Sequence, residues 1–365
     1  METDFVRGDY GKGILVILGA GASFDALGRA GYGISPPLTN RLADSSSYTS
    51  PIVDKYPLAR PVLVKLRQAI SQSTNANLRE QSFSLEETLA EFRRNSDRNA
   101  MTMHQITAFR FYLRDLLYQT ALKVHGQNEG INAYSHLVQD LVNWSNRTNQ
   151  IVCFINFNFD PLLEWACEVE IPFKAERLMD YYVGERIFVL KPHGSVLWSW
   201  EDEGIPEEPN TEPYDSVIDC GEPTDTQLLT LHATKTPVDM FPDRQTNLFS
   251  CAYPALALPM AGEKAFVWPE EQEYLFRNRF QIGAFGKILT IGWRGNEKHF
   301  VDLLPSRVSD NRSLWTVTSD EPGDCEEILR NLSQIVSPVT GRVQLTNGFH
   351  DFVYSEWSCH GLMDT

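Results

Sequence analysis

Four short runs of aliphatic residues end abruptly in polar clusters. Ile14 to Leu18 leads into Gly19-Ala20-Gly21-Ala22-Ser23, and Ile151 to Ile155 into Asn156-Phe157-Asn158-Phe159-Asp160. Ile187 to Leu190 leads into Lys191-Pro192-His193-Gly194-Ser195, and Ile288 to Ile291 into Gly292-Trp293. Uninterrupted apolar runs of this length, bounded by Gly, Pro or Asn, predict strands buried on both faces, as in a parallel sheet. Open α/β sheets bind ligands beyond the carboxyl ends of their strands. Four parallel neighbours would therefore bring their polar tails to one crevice.

Between the first two runs the pattern changes to helical spacing. Ile106, Phe109, Leu113, Leu116, Leu117 and Leu122 form one stripe, and Tyr134, Leu137, Val138 and Leu141 another; both read as core packing. Ser84-Leu85-Glu86-Glu87 has the capping-box pattern, with Leu85, Leu89 and Phe92 behind it. Residues 59–146 are expected to be a helical insertion in a discontinuous Rossmann-like domain made of 1–58 and 147–365. Residues 44–58 and the acidic, proline-punctuated 201–226 read as loops. Tyr253 to Pro259 reads as too proline-interrupted for a central strand. A helix is expected over 271–285, a fifth strand at Leu314 to Val317, and a short helix at Glu326 to Leu332.

The 365 residues are ample for a large core, and a net charge of -16 argues against non-specific nucleic-acid binding. No apolar run approaches a membrane span and the N-terminus has no signal-peptide core, so a soluble, cytoplasmic protein is expected. The six cysteines have no knuckle spacing, and no metal site is predicted.

The first glycine turn lets backbone approach a phosphate, or is simply a tight strand-to-helix turn. Phe24 stands where the dinucleotide fingerprint of dehydrogenases wants its third glycine, which argues against hydride transfer. Asn156, Asn158 and Asp160 sit where burial is costly without partners. They can hold ribose hydroxyls or a water, or cap the next helix. Asp160 before Pro161 reads mainly as the cap and Asn158 as the residue placed for chemistry. His193, at a strand end beside Gly194, is a structural histidine or a general base working near neutral pH.

Together these motifs resemble the sirtuin-like domains of bacterial antiphage defence. The Gly19–Ser23 turn, Asn158-Phe159-Asp160, Lys191–Ser195 with Trp198, and Ile291-Gly292 come in that family's order and spacing. The match extends to Pro254–Pro259 with Lys264, and to Gly348-Phe349-His350-Asp351-Phe352. The resemblance implies that Gly19, Ala20, Gly21, Ser23 and Asp25 hug the pyrophosphate of NAD, with Asp160, Gly194 and Ser195 also at the dinucleotide. It implies that Asn158 faces the nicotinamide ribose, that His193 is the catalytic base, and that Gly292 and Trp293 approach the adenosine end. The chain departs from the family in three places: Asn156 for a usual Thr, Phe159 for a usual Tyr, and Gly292-Trp293-Arg294 for Gly-x-Ser.

The function so implied is an NAD glycohydrolase, with NAD as substrate, that depletes NAD to halt an infected host. An ungated enzyme of this kind would kill its maker. A homo-oligomer, and a separately encoded hexameric ATPase of the HerA family, are the partners the resemblance suggests. Two other functions stand beside it. One is a non-catalytic module that binds NAD or ADP-ribose and signals to a partner. The other is a protein deacylase, which the absence of paired zinc cysteines disfavours.

Overall fold

A computed structural model describes residues 12–28, 34–38, 50–75, 89, 94, 100–174, 176–183, 186–202, 230–242, 249–258, 267, 269–280, 283–304, 308–318, 322–333, 339–355 and 361–363. The capping-box pattern at 84–87, nearly all of the acidic 201–226 stretch, Pro259 and Lys264 lie outside these residues. In chain order the elements are β1 (Gly13–Leu18), α1 (Ala20–Phe24), α2 (Ser50–Lys55), α3 (Arg60–Asn75), α4 (Ala100–His125) and α5 (Ala133–Thr148). Next come β2 (Val152–Asn156), α6 (Leu162–Glu170), β3 (Tyr182–Val183), β4 (Ile187–Leu190), β5 (Gly194–Asp202), β6 (Thr230–Ala233), β7 (Met240–Pro242) and β8 (Phe249–Leu256). The chain continues with α7 (Glu270–Tyr274), β9 (Phe285–Ile291), α8 (Lys298–Val301), β10 (Val308–Val317), α9 (Pro322–Ser333), β11 (Val339–Leu345) and α10 (Gly348–Tyr354).

Two compact units emerge. The first gathers residues 1–35, 121–192 and 268–365. It holds a seven-stranded sheet in the order β11-β10-β9-β1-β2-β4-β3, parallel throughout except for the β3 edge. The protein is thus a mixed α/β, Rossmann-like fold. The four aliphatic runs of the sequence are consecutive neighbours, β9-β1-β2-β4, in register so that Leu18 lies beside both Asn156 and Ile291. Every residue of β1 and β2 is buried, as expected of central parallel strands.

The second unit gathers 36–120 and 193–267. Its antiparallel sheet runs β6-β5-β8-β7. Here the sequence reading needs correction, because Tyr253 to Leu256 belongs to an interior strand. Pairing between β5 and β8 slips between Gly194 and Ser199, and Pro254 sits beside that irregularity, where a missing amide is tolerated. The α4 helix locks onto this sheet through a buried guanidinium. Arg114 reaches Asp239 Oδ1 at 2.5 Å and the Val238 carbonyl at 2.9 Å, while Arg110 donates to the Leu256 carbonyl.

Three smaller differences follow from local chemistry. Residues 50–55 form α2 rather than loop. The helix expected over 271–285 ends at Arg279, in a π-turn over Leu275–Arg279, before β9 begins at Phe285. The sixth parallel strand, β11, carries polar residues among its apolar ones and has no run to announce it. Among the described residues no helix is long and apolar enough to cross a membrane.

Candidate functional site

The first unit builds its site where β1, β2 and β9 end. Gly19 follows β1 and Gly292 follows β9, and the two turns lie against each other. A Cβ on Gly19 would stand 2.7 Å from the Trp293 Cα, so only glycine allows the approach. Gly292 has φ +58° and its backbone abuts Gly21 and Ala22. The Gly21 amide donates to the Gly292 carbonyl at 3.2 Å, and the Ala22 amide to the Gly19 carbonyl at 2.9 Å. These amides are therefore committed to the protein, and Ala20 is the exposed residue of the turn. The α1 helix behind it is only five residues long.

Trp293 supports the turn from within. It is 2% exposed, stacks on Phe157 with centroids 5.7 Å apart, and donates from Nε1 to Glu297 Oε2 at 2.5 Å. Asp25 serves a different neighbour: its Oδ2 accepts from the His350 amide at 3.1 Å, and its carboxylate from Phe349 as well. Burial lifts the pKa of Asp25, and those two amides oppose the rise. The terminal Gly348–Phe352 motif is thereby tied to the first turn.

Asn158 occupies the middle of the site. Asn156 starts the loop, with its Oδ1 accepting from the Asn158 amide at 3.0 Å, an Asx turn. That turn aims the Asn158 side chain at three acceptors. Nδ2 lies 2.9 Å from the Gly19 carbonyl, 3.0 Å from Ser23 Oγ and 3.1 Å from Tyr134 Oη. The Ser23 and Tyr134 oxygens are 2.8 Å apart, and the Ser23 hydroxyl also donates to Asp160. An amide has two N–H hydrogens, so its nitrogen is saturated and its Oδ1 remains the end open to a ligand.

Beneath Asn158 lies a fully buried ionic group. Lys191 Nζ donates to Glu164 Oε1 at 2.6 Å and to the Asp160 carbonyl at 2.9 Å, with both side chains of the ion pair wholly excluded from solvent. Burial raises the pKa of both Asp160 and Glu164, and the Lys191 ammonium opposes the rise. Asp160 Oδ1 also accepts from the Leu162 amide at 3.3 Å, but the N-cap of α6 is Pro161, one residue later than the sequence suggested, so Asp160 meets the first helical amide from just outside the helix. Gln272 closes the group by accepting from the Lys191 amide at 3.0 Å.

His193, Gly194 and Ser195 belong to the second unit. The His193 carbonyl accepts from the Ala257 amide at 2.9 Å, and the residue is 7% exposed. Gly194 has φ +85° and abuts the Ala255 carbonyl. Ser195 is buried, its Oγ accepting from the Leu197 amide at 3.4 Å. Among the described residues no group of three His, Cys, Asp or Glu side chains is arranged to hold a metal.

Sequence reasoning did not single out Tyr134, Glu164 or Gln272. Tyr134 was hidden in an apolar helical stripe, where its ring does pack, against Phe349 at 5.1 Å. Glu164 lies in the first turn of α6 and reads there as an ordinary helix-start acid.

No family model matches this chain, and no curated protein does. Among solved structures, it is similar to a Sir2 homologue, a triple mutant in complex with 2'-O-acetyl ADP ribose. The identity is 12%, covering 89% of this chain and 94% of that one, with a TM-score of 0.36. A structure described as giving the structural basis of sirtuin substrate affinity is similar at 11% identity. It covers 92% of this chain and 89% of that one, with a TM-score of 0.33. Similarity this distant bears on neither ligand nor reaction.

Proposed function

We propose that the chain is an NAD glycohydrolase, cleaving NAD to nicotinamide and ADP-ribose. What supports this reading most is the Asn158 amide. It sits at the carboxyl end of a central parallel strand, held by Gly19, Ser23 and Tyr134, with its oxygen left for a hydroxyl or a water. Holding a side chain this tightly at a sheet's ligand-binding edge is a pre-organised arrangement for positioning a reacting oxygen.

The chemistry asks little else of the protein. The bond between ribose carbon and nicotinamide nitrogen breaks, its electron pair neutralising the pyridinium and leaving an oxocarbenium-like ribose. Water attacks that carbon, oriented by Asn158, and loses its proton to a general base, the role the family resemblance gives His193. The turn of Gly19, Ala20 and Gly21, backed by Gly292 and Trp293, takes the diphosphate side of the substrate. The biological role proposed with it is an abortive-infection effector of antiphage defence, gated by oligomerisation or by a HerA-family ATPase.

Nicotinamide release from NAD by the purified chain, alone and with its genomic neighbours, tests the reading. Asn158→Ala and His193→Ala are each expected to lower turnover by at least about a hundredfold in protein that remains folded. Full activity in folded Asn158→Ala overturns the assignment. Saturable NAD binding with no nicotinamide release under any condition replaces it with a signalling module.

A further inference from the structure

A carboxamide is nearly symmetric, so only its hydrogen-bond partners decide which end faces a ligand. At Asn158 the Gly19 carbonyl, a pure acceptor, takes one Nδ2 hydrogen, while the other lies between Ser23 Oγ and Tyr134 Oη. Both hydroxyls must then present lone pairs to the amide. Each can do so only if its own hydrogen points elsewhere. Asp160 supplies the outlet, since the Ser23 hydroxyl donates to its carboxylate, and Ser23 Oγ in turn is the acceptor for the Tyr134 hydroxyl 2.8 Å away. The hydrogen bonds thus run one way, from Tyr134 to Ser23 to Asp160.

We propose that Tyr134 is a positioning residue, whose hydroxyl fixes the polarity of this chain and thereby holds the Asn158 amide with its oxygen toward the substrate. The inference rests on the glycohydrolase reading for its consequence, but its geometry does not. Tyr134 is itself held firmly. Its amide donates to Asn132 Oδ1 at 2.9 Å in the capping box that starts α5, and the preceding Ala133 amide donates to the Ala26 carbonyl at 2.9 Å. The helix start is therefore fastened to the segment that follows the first glycine turn. Ser23 acquires a role different from phosphate binding, because its one hydrogen and its lone pairs are used within the protein.

Tyr134→Phe keeps the ring against Phe349 and removes only the hydroxyl. The side-chain amide protons of Asn158, identified in a nitrogen-15 labelled chain by their loss in Asn158→Ala, are expected to shift and to exchange with solvent about tenfold faster in this variant. Nicotinamide release is expected to show a roughly tenfold lower kcat at unchanged KM. In a Ser23→Ala background, adding Tyr134→Phe is expected to have a clearly non-additive effect on both quantities, because the two hydroxyls share one Nδ2 hydrogen and one chain of hydrogen bonds. Unaltered Asn158 amide signals in Tyr134→Phe overturn the proposal, as does a full, additive effect in the Ser23→Ala background. If the unvaried chain releases no nicotinamide, the hydrolase reading fails, and the amide signals alone judge whether Tyr134 holds Asn158.

Discussion

Gly292 shows how much a residue can matter through its backbone. Its positive φ and its contact with the backbone of Gly21 and Ala22 let two strand ends meet. An alanine there would carry a left-handed backbone and place a methyl against main chain, which has no flexible end to move. Gly292→Ala is expected to lose at least about 2 kcal/mol of stability, read as a lower urea midpoint at unchanged slope. A variant as stable as the parent would show that the two turns do not pack as described. Residue identity in the sequence made Gly19, Asn158 and His193 stand out, because Gly, Asn and His are unexpected after a buried aliphatic run. It could not reveal that the glycines serve each other, that Trp293 is packed inside, or that the Tyr134 hydroxyl lies 2.8 Å from Ser23 Oγ. Those facts depend on partners more than a hundred residues away in the chain.

The short aliphatic runs announced their own elements, since five consecutive buried residues have few alternatives to a central strand. That β9, β1, β2 and β4 lie side by side was only a conditional expectation, which the parallel register bears out. β11 and β8 were not legible, one for its polar residues and the other for Pro254 beside a slipped pairing. At this scale the decisive contact joins α6 to the end of β4, through Glu164 and Lys191. Lys191→Met leaves two carboxyl groups buried without their cation, and is expected to cost about 3–5 kcal/mol near neutral pH. The folded pKa values of Asp160 and Glu164 lie above their usual 3.8 and 4.5. Such groups favour the folded state fully below those ordinary values, and that contribution is lost as pH rises through the folded ones. Removing the ammonium lifts the folded values further. Urea titrations of Lys191→Met should therefore show a deficit against the parent that shrinks as pH falls and grows as it rises. A deficit independent of pH would mean that the lost lysine acted through packing alone.

Over the whole molecule, three separate stretches of chain build the unit with the parallel sheet and two build the other. β1 pairs with strands that arrive only after residues 151 and 284, an order that hydrophobic patterning hints at but cannot dictate. The strongly acidic character, net -16, suits a protein whose ligand is held by a few placed groups rather than by bulk positive charge. The proposed function makes the Asn158 carboxamide oxygen the contact for the nicotinamide ribose. The most direct test is a crystal structure of His193→Ala, the variant expected to turn over far more slowly, with NAD bound. A ribose hydroxyl or an ordered water within about 3.2 Å of Asn158 Oδ1, with the diphosphate along Gly19 to Gly21, is the predicted result. NAD bound elsewhere, or an Asn158 side chain turned away from the dinucleotide, would contradict it.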